Sequence, residues 1–254
     1  RGLGQTGHLN PEGVEAALRA LRRFAILLDA KGVSERIALA TAAVRDASDG
    51  PEFIMRARNE AGIEIAVLSG EDEARLAGMG VIAGAPDATG AAADLGGSSL
   101  EIVPVSRGKP GQGITLPLGP LAAPDNLMAS RKDARDWIDK TLKPAAPVLK
   151  ACGDTLYAVG GSWRALAHLA IAEADYPLRV IHQFQLSRLA AKEIAGLASR
   201  LSVVSLTGIP GISARRAAML PYAGLLLKRL MKRGKFNRVV FSAFGVREGA
   251  VFDR

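Results

Sequence analysis

The chain has 254 residues, a hydrophobic fraction of 48% and a formal net charge of +8. This length can bury a full core and suits one or two domains. No apolar run is long enough to span a bilayer, and the first residues do not read as a signal peptide. The only cysteine, Cys152, excludes an internal disulfide and suits a reducing compartment. We therefore expect a cytoplasmic protein with no membrane partner.

The surplus of positive charge has two interpretations. The 33 Lys and Arg residues, against 25 Asp and Glu, suit a polyanionic partner such as a nucleic acid, a nucleotide or a phosphate polymer. The same surplus also serves solubility alone. Aromatic residues are not interleaved with the basic ones, which argues against nucleic acid. The three histidines lie far apart and no Cys/His motif occurs, so a zinc site is not expected.

The first third of the chain alternates helices and strands, which indicates a parallel α/β sheet. In chain order the predicted elements are a helix from Asn10-Pro11 to Gly32, a strand over 36–40, a helix over 51–62, a strand over 63–68 and a helix over about 71–83. A Gly/Pro/Asp segment, 84–90, then predicts a linker. We place domain I over residues 1–86 and domain II over residues 87–254.

Domain II begins with three strand-like runs joined by hairpins: AAADL, LEIVPV and GITLPLG. A capping box, Ser130 with Asp133, predicts a long helix towards Ala151. The remaining predicted elements are a strand over 155–161, a helix over 162–174, helices over 187–201 and 213–233 (the second restarted at Pro221), a strand over 238–244 and a final helix from Val246. We expect that final helix to pack on domain I.

The segment DLGGSSLE (94–101) has carboxylates at both ends of a Gly/Ser turn. A four-residue loop would place Leu95 opposite Leu100 and Asp94 opposite Glu101, on one face of the ladder. Directly opposed like charges destabilise such a pair, so a positive group should lie between or beside them. The turn's backbone N–H groups can form an anion nest, and the two acids can share a hard cation such as Mg²⁺. A one-residue slip would separate the acids.

In SGEDEARL (69–76), Ser69 and Asp72 occupy the positions of a capping box. Glu73 is followed at i+3 and i+4 by Leu76 and Ala77, so it heads an apolar face without a local cation. Such a carboxylate can have a raised pKa and act as a general base. It can equally complement the helix dipole, and the residues alone favour that second interpretation.

A second Gly-rich turn lies in AVGGSWRAL (158–166). It is either a phosphate site at a helix N-terminus or a tight strand-to-helix turn. Two arginines also stand out. Arg45 directly follows a buried strand, and Arg215 lies in the first turn of a helix opened by Ser213, where a cation opposes the dipole. Either one has two interpretations, an anion contact or an ordinary salt bridge.

Six segments occur in the order found in one family: ATAAVRDA, SGEDEARL, DLGGSSLE, LPLG, VGGSWRAL and FSAFGVREG. Over essentially its whole length the chain resembles the exopolyphosphatase/guanosine pentaphosphate phosphohydrolase family. The resemblance implies two ribonuclease-H-like domains of the actin-like ATPase type around a cleft. It also implies Mg²⁺-dependent hydrolysis of terminal phosphoanhydride bonds of polyphosphate or guanosine pentaphosphate. Homodimers are common in the family.

The resemblance assigns roles by position. Glu73 matches the catalytic glutamate that activates water, and Asp94 and Glu101 match the metal-associated acids. Nine residues match or resemble substrate-binding positions: Arg45, Gly96, Gly97, Ser98, Ser99, Gly160, Gly161, Ser162 and Arg215. We expect Mg²⁺ as the cofactor and a polyphosphate or guanosine polyphosphate as the substrate.

The chain also departs from the family pattern. The usual DIGGGST reads DLGGSSL here, Ser162 replaces a common Thr, and Trp163 is expected to narrow a base pocket. The family's first phosphate loop, DxGSNS, has no counterpart, so domain I is expected to lack its N-terminal strands. Either upstream residues are omitted from this chain, which as given would then be inactive, or the chain is a remnant that binds without turnover, a non-catalytic guanosine polyphosphate-binding or sensor protein.

Overall fold

The computed structural model describes residues 3–253, apart from the side chains of residues 4 and 5. The chain divides into two compact units, Arg1–Asp72 and Glu73–Arg254. In the described range, no helix is both long enough and apolar enough to cross a membrane.

The first unit is built from short parallel strands and two amphipathic helices. Its elements are α1 (Leu3–Thr6), α2 (Pro11–Ala30), β1 (Leu39–Ala40), α3 (Ala42–Arg45), α4 (Gly50–Ala61) and β2 (Ala66–Val67). The predicted parallel pairing is confirmed, with Leu39 opposite Ala66. The predicted start of α2 is also confirmed, because the Asn10 side chain accepts a hydrogen bond from the Gly13 amide at 2.9 Å.

The second unit contains the remaining elements, with α5 beginning at the end of the first. Its helices are α5 (Gly70–Gly84), α6 (Arg131–Thr141), α7 (Ala146–Lys150), α8 (Gly161–Glu173), α9 (Arg188–Ala198), α10 (Val203–Thr207), α11 (Ala214–Ala217), α12 (Leu220–Arg233) and α13 (Val246–Phe252). Its strands are β3 (Gly90–Leu95), β4 (Leu100–Ser106), β5 (Lys109–Pro110), β6 (Ile114–Leu116), β7 (Thr155–Val159), β8 (Gln185–Ser187) and β9 (Arg238–Phe241).

The strands of the second unit form one mixed sheet in the order β5-β4-β3-β7-β9-β8, with β6 also paired to β4. Strands β3, β7 and β9 are parallel neighbours, so their carboxyl ends meet at one edge. Strand β4 returns antiparallel to β3 with Asp94 opposite Glu101 and Leu95 opposite Leu100. The predicted hairpin register is therefore confirmed.

Helices cover both faces of this sheet. Alternate residues of β3 enter different clusters: Ala91 and Ala93 pack in the larger core, and Ala92 packs in the smaller one. The larger core includes Trp163, which is fully buried and donates its indole N–H to the Ala223 carbonyl at 3.1 Å. The expectation that Trp163 narrows a base pocket is wrong, because its ring belongs to the core.

Two predicted helices differ in detail from the structure. Ser130 caps α6 as predicted, accepting from the Asp133 amide at 3.2 Å. The helix does not continue to Ala151, because α6 ends at Thr141 and a 3₁₀ turn over Lys143–Ala145 precedes α7. Pro144 and Pro147 supply the reason, since neither can donate the backbone bond that a continuous helix needs. The predicted restart at Pro221 is confirmed by the separate helices α11 and α12.

The final helix, α13, packs closely on α5. A Cβ atom at Gly80 would meet the Gly245 carbonyl oxygen, and one at Gly249 would meet the Leu76 carbonyl oxygen. Arg75 on α5 also pairs with Asp253 at 2.7 Å. Because α5 packs this tightly, the division into compact units falls after Asp72 rather than in the Gly/Pro linker. The sequence-based assignment of residues 1–86 to domain I stays a prediction.

Candidate functional site

A cavity of about 690 Å³ opens in the second unit, where the carboxyl ends of β3 and β7 and the segment after β9 converge. Ligands of open α/β sheets bind at this kind of edge. Three Gly-containing turns form the walls: the β3–β4 hairpin turn, the β7–α8 turn and the β9–α13 connection. Charged side chains of both signs also line the cavity.

The β3–β4 turn is held in place by its own backbone. The Gly96 amide donates to the Ser99 carbonyl at 3.0 Å, and the carbonyls of Gly97 and Ser98 accept from Leu121 and Gly119 at 2.8 and 3.1 Å. A Cβ atom at Gly119 would meet the Gly97 carbonyl oxygen, which explains the glycine of the LPLG segment. The turn is therefore pre-formed, with Gly96 and Gly97 facing the cavity.

The β7–α8 turn is tight for a packing reason. Gly160 has φ = 107°, and a Cβ atom there would meet the Leu95 carbonyl oxygen and lie 3.1 Å from Asp94 Oδ1. The turn nevertheless opens the N-terminus of α8 to the cavity through Gly161 and Ser162. Both interpretations of this turn are thus compatible with the structure, since close packing and an exposed helix N-terminus coexist.

Four carboxylates lie close enough to act on one another electrostatically, and we call them the acidic cluster: Glu73, Asp94, Glu101 and Glu248. Glu73 and Glu101 are buried, whereas Asp94 and Glu248 line the cavity wall. Burial, followed by the charge of Glu73, raises the pKa of Asp94 to about 7. The same two causes raise the pKa of Glu101 to about 9. Oxygen Oε1 of Glu101 is buried and has no hydrogen-bond partner in the described structure.

Local structure fixes the two helix-borne members of the acidic cluster. Ser69 Oγ accepts from the Asp72 amide at 3.1 Å, so the predicted cap of α5 is confirmed and the following Glu73 is turned into the protein. Glu248 Oε2 accepts from the Gly245 amide at 2.8 Å, at the start of α13. Glu73 is only 6% exposed, so it does not serve merely as a solvated partner of the helix dipole. Its role as a general base stays a prediction.

Four arginines line the same cavity, and we call them the arginine cluster: Arg164, Arg215, Arg216 and Arg247. They come from three elements: α8, α11 and α13. The guanidinium group of Arg216 lies over Gly161, because a Cβ atom there would be 3.1 Å from Arg216 Nη2. Burial and the charges of Arg216 and Arg247 lower the pKa of Arg164 from its ordinary value, and Asp94 and Glu248 partly oppose this.

The predicted site residues fall into four groups. Seven line the cavity: Asp94, Gly96, Gly97, Gly160, Gly161, Ser162 and Arg215. Glu73, Ser99 and Glu101 are buried, with Glu73 and Glu101 in the acidic cluster. Ser98 is not among the lining residues, and its carbonyl is engaged by Gly119. Arg45 lies in the first unit, where Nη1 donates to the Leu68 carbonyl at 3.0 Å. A phosphate contact by Arg45 stays a prediction.

Four charged residues of the cavity were not identified from the sequence: Arg164, Arg216, Arg247 and Glu248. The sequence held one indication that they belong to the site: Arg164 lies in the motif VGGSWRAL, Arg247 and Glu248 lie in VREG, and Arg216 follows Arg215. Helix position alone did not separate these residues from ordinary surface charges.

The donors of the acidic cluster suit a hard divalent cation, since Mg²⁺ prefers carboxylate oxygen. In the described range no set of three or more His, Cys, Asp or Glu residues is arranged to hold a metal. Mg²⁺ is commonly bound by one or two carboxylates together with waters and substrate phosphates. The unpartnered Glu101 oxygen and the raised pKa values therefore fit a cation that binds together with a phosphate ligand.

Comparisons with known proteins give the family of this chain. The model of the Ppx/GppA phosphatase family matches residues 1–254. Exopolyphosphatase 1 of Mycobacterium tuberculosis (strain ATCC 25618 / H37Rv) is 29% identical over 97% of this chain and 74% of its own length. Exopolyphosphatase 1 of Mycobacterium leprae is 27% identical over 97% of this chain and 76% of its own.

Solved structures give the same fold. The crystal structure of an exopolyphosphatase from Cytophaga hutchinsonii matches with a TM-score of 0.88, at 23% identity, over 99% of this chain and 86% of that one. An Aquifex aeolicus member of the Ppx/GppA family matches with a TM-score of 0.81, at 23% identity, over 99% of this chain and 84% of that one. The fold is thus the mixed α/β, actin-like ATPase type of these proteins, and the chain belongs to the Ppx/GppA phosphatase family.

Proposed function

We propose that this chain hydrolyses terminal phosphoanhydride bonds of inorganic polyphosphate and releases orthophosphate, with guanosine pentaphosphate as a second substrate. One observation carries the proposal: a single cavity is lined by two members of the acidic cluster, Asp94 and Glu248, and by all four members of the arginine cluster. This arrangement suits a polyanion bound together with a divalent cation. Membership of a phosphatase family, and relatives named exopolyphosphatases, support the same reaction.

Each part of the site has its own role in the proposed hydrolysis. The pre-formed β3–β4 turn and the N-terminus of α8 receive the terminal phosphoryl group through backbone N–H groups. Glu73 orients a water molecule and takes its proton as the water oxygen attacks phosphorus. The bridging P–O bond breaks, the shortened polyphosphate leaves, and Glu73 returns its proton to a product oxygen. When Mg²⁺ is bound at Asp94 and Glu101, it neutralises charge on the phosphate oxygens.

Several finer features belong to this proposal. We infer two ribonuclease-H-like domains around a cleft, with Arg45 contributed by domain I. A homodimer, a cytoplasmic location and Mg²⁺ as the cofactor are part of the same account. The resemblance to the family supports the homodimer and Mg²⁺, and the single cysteine supports a reducing compartment.

The proposal is tested by phosphate release from long-chain polyphosphate in the presence of Mg²⁺. With any native residues that precede Arg1 included, we expect the purified protein to release phosphate and Glu73→Gln to lower turnover by about 10²–10⁴, because the general base is lost. Glu71→Gln is the matched control: it makes the same chemical change on an exposed residue of the same helix turn and should leave turnover unchanged. Equal turnover in the wild type and Glu73→Gln would remove Glu73 from the mechanism.

Substrate choice follows from the same assay. Faster release from guanosine pentaphosphate than from polyphosphate would make the nucleotide the principal substrate. Binding of either compound without any phosphate release would support the alternative, a non-catalytic guanosine polyphosphate-binding or sensor protein.

A further inference from the structure

In the described structure, the positive charge of Arg164 is not offset by a hydrogen-bonded or ion-paired carboxylate of this chain. It lies in the first turn of α8, where the positive end of the helix dipole disfavours a cation. Its side chain is half-buried, and its Nε atom is buried with no hydrogen-bond partner in the described structure. An unsatisfied buried donor costs stability, and more so when the group is charged.

The neighbours of Arg164 add to that cost. Arg216 and Arg247 both lower its pKa through their positive charge. Asp94 and Glu248 are near enough to act on it in the opposite direction, yet in the described range neither forms a hydrogen bond or ion pair with it. A guanidinium group cannot lose its proton in a protein, so deprotonation cannot relieve the repulsion. The relief has to come from an anion.

The lining of the cavity indicates the class of that anion. Three elements direct arginines towards one space, and the N-terminus of α8 opens into it. A ligand that reaches all of them has to carry several charges and several oxygen acceptors. A condensed phosphate with at least two phosphate groups meets this requirement better than a single orthophosphate does.

We propose that Arg164 is a further substrate-binding residue of this protein: its Nε–H donates to an oxygen of a condensed phosphate chain that Arg216 and Arg247 flank. This inference rests on the proposed function for the identity of the ligand. It adds a residue, a bond and a minimum ligand size to that function.

The test is calorimetric binding of pyrophosphate and orthophosphate at low salt, without divalent cation, together with thermal unfolding in phosphate-free buffer. Arg164→Met removes the charge and every donor, and Arg164→Lys keeps the charge but removes the Nε donor. Arg135→Met is the matched control, because Arg135 is an exposed arginine of α6 outside the cavity.

We expect the wild type to bind pyrophosphate more tightly than orthophosphate. Arg164→Met and Arg164→Lys should each weaken pyrophosphate binding by at least about tenfold, the usual effect of a lost charged hydrogen bond. Arg135→Met should bind like the wild type. Arg164→Met should also melt no lower than the wild type in phosphate-free buffer, because it removes an unsatisfied, repelled cation.

Unchanged pyrophosphate affinity in Arg164→Lys would overturn the inference, even if Arg164→Met failed to fold. A lower melting temperature in Arg164→Met with unchanged affinity would make Arg164 structural and overturn it as well. Binding is measured without turnover, so the two proposals fail separately. Absence of phosphate release from polyphosphate would refute the hydrolase while leaving an Arg164-dependent pyrophosphate site intact.

Discussion

The acidic cluster and the arginine cluster both contribute residues to one cavity, but they respond to crowding of like charge in different ways. Burial and mutual repulsion raise the pKa values of Asp94 and Glu101, so these groups can become neutral by taking up protons. Arg164 and its neighbours remain charged at every ordinary pH. The net charge of the acidic cluster therefore depends on pH and on bound cations. The repulsion within the arginine cluster is reduced only by a bound anion. A metal-bound phosphate chain supplies both a cation and an anion, so it offsets the charges of both clusters.

The largest expected effect comes from a substitution in the β7–α8 turn, which packs against Asp94 and begins the helix that carries Arg164. Gly160→Ala should destabilise the protein by more than the roughly 1–3 kcal/mol typical of a strained backbone conformation. The added methyl group would also meet the Leu95 carbonyl oxygen and press on Asp94. Denaturant unfolding measures the loss, and turnover should fall with it because Asp94 and α8 shift apart.

Gly96→Ala is the matched control for that substitution. A Cβ atom at Gly96 would make ordinary contacts of 3.5 and 3.6 Å with Ser99, and Gly96 has no positive φ. Its stability should change little. Equal destabilisation by the two substitutions would contradict the view that close packing excludes a side chain at Gly160 and leaves room for one at Gly96.

A smaller effect concerns the pH dependence of stability without divalent cations. In the unfolded chain Asp94 and Glu101 ionise near 3.8 and 4.5, but in the folded protein they ionise near 7 and 9. Between these limits the folded state holds more protons, so these two groups make the free energy of unfolding fall as pH rises from about 4 to 9. Glu101→Gln should flatten this fall, most clearly above pH 7, in thermal melts across that range.

The control for the pH experiment is again Glu71→Gln, whose carboxylate is exposed and which should keep the wild-type slope. Added Mg²⁺ should raise the melting temperature of the wild type more at pH 8 than at pH 6. A slope that Glu101→Gln leaves unchanged would mean that this carboxylate is ionised in the folded protein.

Much of the acidic side could be predicted from the sequence, because its determinants are local. A four-residue turn and alternating strand positions fix the pairing of Asp94 with Glu101, and a capping box fixes the start of α5. These features depend on hydrogen bonds between residues only a few positions apart, which short motifs encode well.

The arginine side could not be predicted in the same way. Arg164, Arg216 and Arg247 lie on three helices that only the folded sheet brings together, and each looks like an ordinary surface charge in its own helix. The burial of Trp163 was missed for a related reason, since its orientation depends on packing against α12. The break after α6, by contrast, has a local signal in the sequence, since Pro144 and Pro147 both interrupt a continuous helix.

The most direct test of the account is the linkage between Mg²⁺ and pyrophosphate binding, measured by calorimetry on Glu73→Gln protein to prevent turnover. If the cavity takes a cation and a condensed phosphate together, Mg²⁺ should tighten pyrophosphate binding by at least about tenfold, which corresponds to about 1.4 kcal/mol of coupling. The gain should be larger at pH 8 than at pH 6, because Asp94 ionises near pH 7. Pyrophosphate affinity that Mg²⁺ leaves unchanged at both pH values would contradict the account.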